Sequence, residues 1–491
     1  MCVMLIFLVK GRRPRLENKW FWPFVTAVVL LICILAGSWW RYEYYQDSKS
    51  SQAQEETEEW GQFEKVHQAF DLIADNYVEQ VDKDELTEGA IKGMLDELKD
   101  PYSVYMDAET TSQFQQTLDS SFQGIGAEIN YLDGKFVIVS PFKHSPAEKA
   151  GIKPGDVIIS VDQQRTEGLD LYDVVSLIRG KVGTKVEVGI MREGNNQPIK
   201  FSVERAEIPL ETVHRSVKKL NGQSIGYLQI TSFSEHTAED FVKELSSLEA
   251  SPMDGLLIDV RGNPGGLLTS VEEILRQFIT DKKPYIQIEE RNGKKNQYFS
   301  YTDERKPYPI AVLMNEGSAS AAEIFAAAMN ESEGYPLIGE KTFGKGTVQK
   351  PVDLGDGSTI KLTFYKWLTP NGTWIHKKGI KPTIGVSQKD YYSLEPLTVE
   401  QSLEKDMNNK QVMILQKMLE GAGYEPGRTD GYYSGKTVKA VEAFQRMHNI
   451  RATGIADKST VSSLQEEIKK LVNEDKNDLQ LQAGLRWLEQ Q

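Results

Sequence analysis

Hydrophobic positions change their period several times along the chain, and each change predicts a different element. From Trp20 to Trp40 no charge interrupts the apolar residues. As a helix this run measures roughly 31 Å, the hydrocarbon thickness of a bilayer. Lys10, Arg12, Arg13, Arg15 and Lys19 precede it, whereas only Arg41 and Lys49 are basic in the residues just after it. That bias predicts an N-terminus kept inside the cell membrane and a catalytic or binding region outside. Trp20, Trp22, Trp39, Trp40, Tyr42, Tyr44 and Tyr45 bracket the run as interfacial aromatics do, which favours a retained anchor; Ala36-Gly37-Ser38 leaves cleavage open. A polar, acidic stretch comes next as a linker. Phe63, Val66, Phe70, Ile73 and Tyr77 then recur at helical spacing, and Leu86, Ile91, Met94, Leu95 and Leu98 repeat the pattern up to Asp100-Pro101, predicting two amphipathic helices.

Beyond Phe122 the period shortens. Phe136-Val-Ile-Val139, Val157-Ile-Ile-Ser-Val161 and Lys185-Val-Glu-Val-Gly-Ile190 are short β-branched runs between Gly-rich turns, which predicts a compact β module. Further on, strands at 255–260, 310–314 and 359–364 alternate with helices at 271–278 and 319–329, the pattern of an α/β core. The stretch 401–471 reads as helical, and its Gly431-Tyr-Tyr-Ser-Gly-Lys-Thr437-Val438 recurs as Gly454-Ile-Ala-Asp-Lys-Ser-Thr460-Val461. The predicted class is a multidomain mixture of α/β and α+β on one transmembrane helix. Its parts are a basic cytoplasmic tail (1–19), an anchor (20–40), a linker (41–60), N-terminal helices (61–120), the β module (121–205), inserted ahead of an α/β core (206–395), a small helical bundle (400–472) and a C-terminal tail (473–491).

Composition then narrows the chemistry. Lys plus Arg is 57 against 71 for Asp plus Glu, so the net charge is 57 − 71 = −14 and there is no electrostatic footprint for nucleic acid. Cys2 and Cys33 both lie near the N-terminus, which excludes a cysteine protease and a thiolate metal site in the rest of the chain. The six histidines show no metal-ligand spacing. No metal or cofactor is expected.

Ser320 falls at the predicted start of an Ala-rich helix, where free N–H groups and the helix dipole favour a developing oxyanion. Ser320-Ala-Ala-Glu323 also fits a capping box, in which the hydroxyl would serve only the backbone. A nucleophilic serine needs a base, and no G-x-S-x-G elbow or histidine partner is evident. Lys345, between Gly344 and Gly346, is the substitute, provided that its pocket desolvates the ammonium. Gln349, four residues on, is placed to orient the amine without adding a charge. Gly339 to Lys345 also matches G-x-x-x-x-G-K of a P-loop, but Gly346 replaces the required hydroxyl and the residues after it read as strand. Asp259-Val-Arg-Gly262-Asn-Pro-Gly265-Gly266 is a Gly-rich turn at a strand end whose N–H groups are candidates for an oxyanion hole together with that of Ala321.

Taken together, Asp259 to Gly266, Gly317-Ser-Ala-Ser320-Ala-Ala-Glu323 and Gly344-Lys345-Gly346-Thr-Val-Gln349 resemble the carboxyl-terminal processing proteases, a Ser/Lys peptidase family related to the tail-specific proteases. The resemblance implies that Ser320 is the nucleophile, Lys345 the general base and Gln349 the residue that positions it. It gives the oxyanion hole to the amides of Ala321 and Gly266, with Gly265 open for the second place. Ala322 stands where relatives often have a second serine. The β module resembles a PDZ domain, through Gly124-Ile125-Gly126-Ala127 as the loop for a peptide's terminal carboxylate and Ala150-Gly151-Ile-Lys-Pro-Gly155-Asp156 as its turn signature. Arg179 then matches the family's arginine that senses bound peptide; otherwise it is surface charge. The helical bundle resembles a peptidoglycan-binding domain through Leu415-Gln416, Asp430-Gly431-Tyr432, Phe444-Gln445 and Thr453-Gly454. The implied partners are protein substrates with free C-terminal tails, wall peptidoglycan, the membrane and a second protomer, dimers being known in the family. A non-catalytic scaffold made of the same modules is the rival reading.

Overall fold

The computed structural model describes residues 63–491 except 120, 133, 193, 194, 196, 281, 301–303, 396 and 398–400. The expected anchor at 20–40 and the basic segment before it lie outside the described residues. No helix among the described residues is long and apolar enough to cross a membrane. The chain divides into two compact units between Glu97 and Leu98. In the first, helices at 63–76 and Lys83–Asp96 match the predicted amphipathic pair. Asp82 caps the second helix by accepting from the N–H groups of Asp84 and Glu85, and it does so before a first turn that is itself acidic. Within this unit, Phe63, Leu72, Tyr77, Val78 and Met94 stay exposed.

The second unit begins with two elements that the helical reading of 61–120 did not separate. The strand Val104–Met106 pairs with Thr359–Leu368, and the helix Ala108–Leu118 comes directly after it. The chain then enters the β module along Ser121–Gly124 and leaves it along Ala206–Pro209. These two strands pair antiparallel, so the module is an insertion tied at its neck. Its sheet has the order Ala127–Leu132, Lys135–Pro141, Val157–Val161, Lys185–Met191, Ile199–Glu204. Alternation buries Ile138, Ile158, Val186, Val188 and Ile190, and the helix Leu171–Ile178 adds Val174 and Ile178 to the same core. Ala127–Leu132 is left as an edge strand.

The α/β core is a six-stranded sheet in the order Val213–Leu220, Gln223–Ile230, Gly255–Asp259, Ile310–Met314, Leu337–Gly339, Ile384–Gly385. Its central strands are buried on both faces and read as continuous apolar runs. Leu256, Ile258, Val312 and Met314 pack toward the helices Thr237–Glu249, Leu268–Leu275 and Ala321–Glu333. The other face presents Ile225, Leu257, Ala311, Leu313 and Ile338, and here the structure corrects the expectation of a C-terminal tail. Residues 473–491 end in the helix Leu479–Glu489, whose Leu481, Leu485 and Leu488 cover this face. Gly484 lets the helix sit close, since a Cβ there would lie 2.9 Å from Leu257. A second sheet joins Val104–Met106, Thr359–Leu368, Pro284–Glu289 and Lys295–Phe299, with Thr347–Asp353 paired to Thr359–Leu368.

The C-terminal bundle packs the helices Lys410–Gly421, Gly435–Met447 and Lys458–Asn473 around one apolar core. Its sequence repeat has a physical basis. Buried Gln416 accepts the Gly431 N–H and donates to Thr437, while buried Gln445 accepts the Gly454 N–H and donates to Thr460. Each glutamine fixes one copy of the turn.

Because Leu485 is 4% exposed against the core sheet, Leu485→Ala is expected to destabilise the protein by about 2–4 kcal/mol. Urea unfolding followed by tryptophan fluorescence measures this, and an unchanged midpoint would mean that the segment does not serve the core.

Candidate active site

The wholly buried strand Ile310–Met314 delivers the chain to a turn that is tied down on every side. Ser318 Oγ donates to the Val260 carbonyl (2.8 Å), Asn315 Oδ1 accepts the Gly262 N–H (2.8 Å), and the Ala319 N–H reaches the Asn263 carbonyl (2.9 Å). Held this way, Ser320 adopts φ 52° and ψ −111°. Non-glycine residues avoid that region, at a cost of roughly 1–3 kcal/mol. The helix therefore begins at Ala321, two residues later than its alanine content predicts. Ser320 and Glu323 stand in the capping-box arrangement, in which the backbone N–H of Ser320 donates to Glu323 Oε2 (2.9 Å) and the Glu323 N–H donates to the Ser320 carbonyl (2.9 Å). The capping pattern read from the sequence is present, and no stronger acceptor or donor among the described residues claims the hydroxyl.

The Gly-rich turn lies against this corner. A Cβ on Gly265 would sit 2.9 Å from Ser320 Cβ, and one on Gly266, at φ 141°, would fall 2.0 Å from the Phe233 carbonyl oxygen. Both positions therefore demand glycine. The N–H of Gly265 is committed to Asn263 Oδ1 (2.8 Å). The N–H groups of Gly266 and Ala321 have no hydrogen-bond partner among the described residues.

Glu323 joins the serine to the lysine. Its carboxylate, fully buried, accepts from the N–H of Lys345 (2.7 Å), the N–H of Gly344 (2.7 Å) and the Thr342 hydroxyl (2.5 Å), in addition to the N–H of Ser320. Burial pushes this carboxyl above its ordinary pKa, with those donors opposing. The Trp367 indole N–H fixes the Lys345 carbonyl from the other side (2.7 Å). The Lys345 ammonium lies 4.9 Å from the Tyr102 ring centroid, and its pKa is lowered, first by burial and then by the charge of Lys361, against the pull of Asp100 and Glu323.

Ser320, Ala321, Gly265, Gly266, Lys345 and Gln349 line one pocket of about 360 Å³. Within it Lys345 and Ser320 are not hydrogen-bonded to each other. Gln349 is not bonded to Lys345 either: its amide donates to Thr347 Oγ1 (3.0 Å) and Thr363 Oγ1 (2.9 Å). A register shift between Val348 and Gln349 sets it beside these two hydroxyls, and the bonding leaves its carbonyl oxygen as an acceptor. Reasoning from the sequence missed Tyr102 and Lys361, neither of which carried a motif.

In the β module the N–H groups of Ile125 and Gly126 have no backbone partner, while their carbonyls are taken by Ala147 and Phe142 (2.8 Å each). Gly124 ends one strand and Ala127 begins the edge strand. Arg179, at the end of the helix Leu171–Ile178, donates to Gln116 Oε1 (3.4 Å) and lies over the Phe122 ring. The P-loop alternative fails in the structure. Gly344 and Lys345 give their N–H groups to Glu323, and the next element is the strand Thr347–Asp353, not a helix.

Comparisons with known proteins agree with this architecture. The model of peptidase family S41 matches residues 224–386, a PDZ domain 137–192, the CtpB N-terminal domain 30–110 and a putative peptidoglycan binding domain 408–464. The carboxy-terminal processing protease CtpB of Bacillus subtilis is 54% identical over 436 residues, covering 89% of this chain and 91% of that protein. CtpA of the same organism is 43% identical, covering 87% and 91%. A solved photosystem II D1 C-terminal processing protease is 29% identical over 63% of this chain and 84% of its own, with a TM-score of 0.41. The class is that of a serine-type peptidase with PDZ and peptidoglycan-binding modules. Within it, the chain belongs to family S41 and its carboxy-terminal processing proteases, so the inert-scaffold reading is set aside.

Replacing Glu323 by Gln swaps an acceptor oxygen for a donor amide facing N–H groups. Glu323→Gln is expected to destabilise the protein by about 1–3 kcal/mol and to lower kcat far more than it raises KM, because it loosens the register between the Ser320 and Lys345 backbones. Steady-state kinetics beside thermal unfolding measure both; unaltered kcat would free Glu323 of any part in positioning.

Proposed function

We propose that Ser320 is the nucleophile of this peptidase, Lys345 its general base, and Gln349 the residue that orients the lysine. Neutral Lys345 takes the Ser320 proton as Oγ attacks the peptide carbonyl, then returns it to the leaving amine. The oxyanion is received by the free N–H groups of Gly266 and Ala321, at the positive end of the helix Ala321–Glu333. The observation that carries this reading is Glu323, which ties the N–H of Ser320 and the N–H of Lys345 to a single buried carboxylate. To reach Ser320, the lysine side chain swings away from Tyr102. Water then cleaves the acyl-enzyme by the same route.

The PDZ module selects substrates by their tails. A C-terminal peptide adds to the edge strand Ala127–Leu132, with its carboxylate on the free N–H groups of Ile125 and Gly126 in the Gly124 to Ala127 loop. Arg179 reports its arrival. The apolar run at 20–40 anchors the protein in the cell membrane with the catalytic domain outside, the C-terminal bundle engages peptidoglycan, and a homodimer is the assembly.

Ser320→Ala and Lys345→Ala are each expected to abolish peptide cleavage with folding retained, and Lys345→Arg to be equally inactive, since a guanidinium does not give up its proton at working pH. Turnover by the Arg variant would remove Lys345 as base. In the wild type, kcat/KM rises with pH through the lowered Lys345 pKa, because only the neutral amine accepts a proton.

Amidating the C-terminus of a peptide substrate is expected to weaken its activation of the enzyme by about 1–3 kcal/mol, and Arg179→Ala to lower cleavage while labelling of Ser320 by a fluorophosphonate persists. Equal cleavage of free-acid and amidated peptides would show that no carboxylate is read.

A further inference from the structure

Lys361 lines the same pocket as Ser320 and Lys345, yet the mechanism above gives it no task. It is carried by the strand Thr359–Leu368, opposite Pro351 on one side and Val104 on the other. Among the described residues no carboxylate or hydrogen-bonding group pairs with its ammonium, which lies instead 4.9 Å from the Phe114 ring centroid. An unpaired, partly buried cation is costly unless its charge is used. The surrounding wall is apolar, with Phe114, Leu118, Ile324, Val348 and Trp367, so the field of this charge is weakly screened.

We propose that Lys361 is a positioning residue for the reaction, one whose unpaired positive charge in the catalytic pocket keeps the Lys345 amine in the neutral form that takes the Ser320 proton. The inference rests on Lys345 being the base.

The groups around Lys345 can be set against one another. Asp100 and Glu323 favour its ammonium by opposite charge, and the face of Tyr102, itself edge-on to His376, favours it through the ring quadrupole. Burial and Lys361 favour the amine, and they prevail, for the Lys345 pKa is lowered. Burial also lowers the Lys361 pKa, and the Phe114 ring helps this amine stay charged. The two ammonium groups repel each other, so the pair gives up its first proton more readily than either amine alone, and the deeper burial of Lys345 directs that loss to Lys345. The same repulsion makes the Lys345 ammonium a stronger acid when it protonates the leaving amine, so the proton taken from Ser320 is passed on rather than retained.

The test is the pH dependence of kcat/KM, measured with the full-length protein in detergent and a peptide substrate free of acidic side chains. In Lys361→Met the rise of activity is expected to move up by about one pH unit, with a tenfold loss below it and full recovery above it; Lys361→Arg leaves the profile in place. Lys361→Gln serves if the Met variant unfolds. In a Ser320→Ala background, acetylation of the Lys345 amine by acetic anhydride, followed against pH by mass mapping, is expected to show the same displacement when Lys361→Met is added. Loss by a constant factor at every pH, through a raised KM, would overturn the proposal in favour of Lys361 as a contact to substrate. Unchanged activity would overturn it in favour of an idle charge. An active Lys345→Ala would remove the base reading and this inference together, whereas an inactive Lys345→Ala beside an unmoved Lys361→Met profile would remove this inference alone.

Discussion

The carboxylate of Glu323 accepts three backbone N–H groups and one hydroxyl, and it does so with no exposure to solvent. Burying such a charge costs several kcal/mol unless its lone pairs are filled. Here they are filled from both sides of the site, by Ser320 at the start of a helix and by Thr342, Gly344 and Lys345 in the turn that precedes a strand. Each side is rigid on its own: the serine corner through Ser318 and Asn315, the lysine turn through Trp367. What Glu323 adds is their mutual register. That register has an electrostatic consequence, since a carboxylate near Lys345 favours the ammonium. The pocket that uses Glu323 as its anchor must offset it, and burial together with a second cation does so.

The Gly-rich turn is held by a different device. Arg261, in the same loop as Gly265 and Gly266, forms a bidentate pair with Asp478 (2.9 and 2.8 Å) and also binds Asp259. Asp478 is the N-cap of the helix Leu479–Glu489, accepting the Leu481 N–H (2.9 Å). The last helix of the chain thus covers one face of the core sheet and, through its cap, grips the loop that carries the free Gly266 N–H. The peptidoglycan-binding bundle lies in sequence between the end of the core sheet and this helix, so both of its ends return to the protease. Guanidinium and carboxylate geometry makes the grip directional.

Local regularities were legible in the sequence. The β-branched runs, the buried strand before Ser320, the Gly-rich turn and the repeated glycine turns of the bundle are all set by residues close together in the chain. Ser320-Ala-Ala-Glu323 was legible as a cap pattern, yet its second use, to hold Lys345, depends on a turn some twenty residues on and carried no local signal. Leu481, Leu485 and Leu488 are spaced as a helix face, and Asp478 is a fitting cap; the short length and the interior Gly484 disguised them as a tail. Tyr102 and Lys361 could not be read at all, because what places them is the pairing of Val104–Met106 with a strand that begins at Thr359.

The helix Ala108–Leu118 stands between the inserted module and the pocket of Ser320. Gln116 accepts from Arg179 of the PDZ module, while Phe114 covers Lys361 and, with Leu118, lines the pocket of Ser320. The carbonyls of Thr117 and Leu118 accept from Ser234 and Glu235, which adjoin Phe233, and Phe233 is bridged to Gly266. One short helix therefore touches the proposed sensor, the unpaired cation and the backbone that shapes the Gly266 turn. Contiguity alone does not transmit anything. A bound tail alters the pocket only to the extent that it binds one placement of this helix better than another. The single hydrogen bond between Gln116 and Arg179, at 3.4 Å and exposed, is weak enough for a carboxylate to compete for the guanidinium.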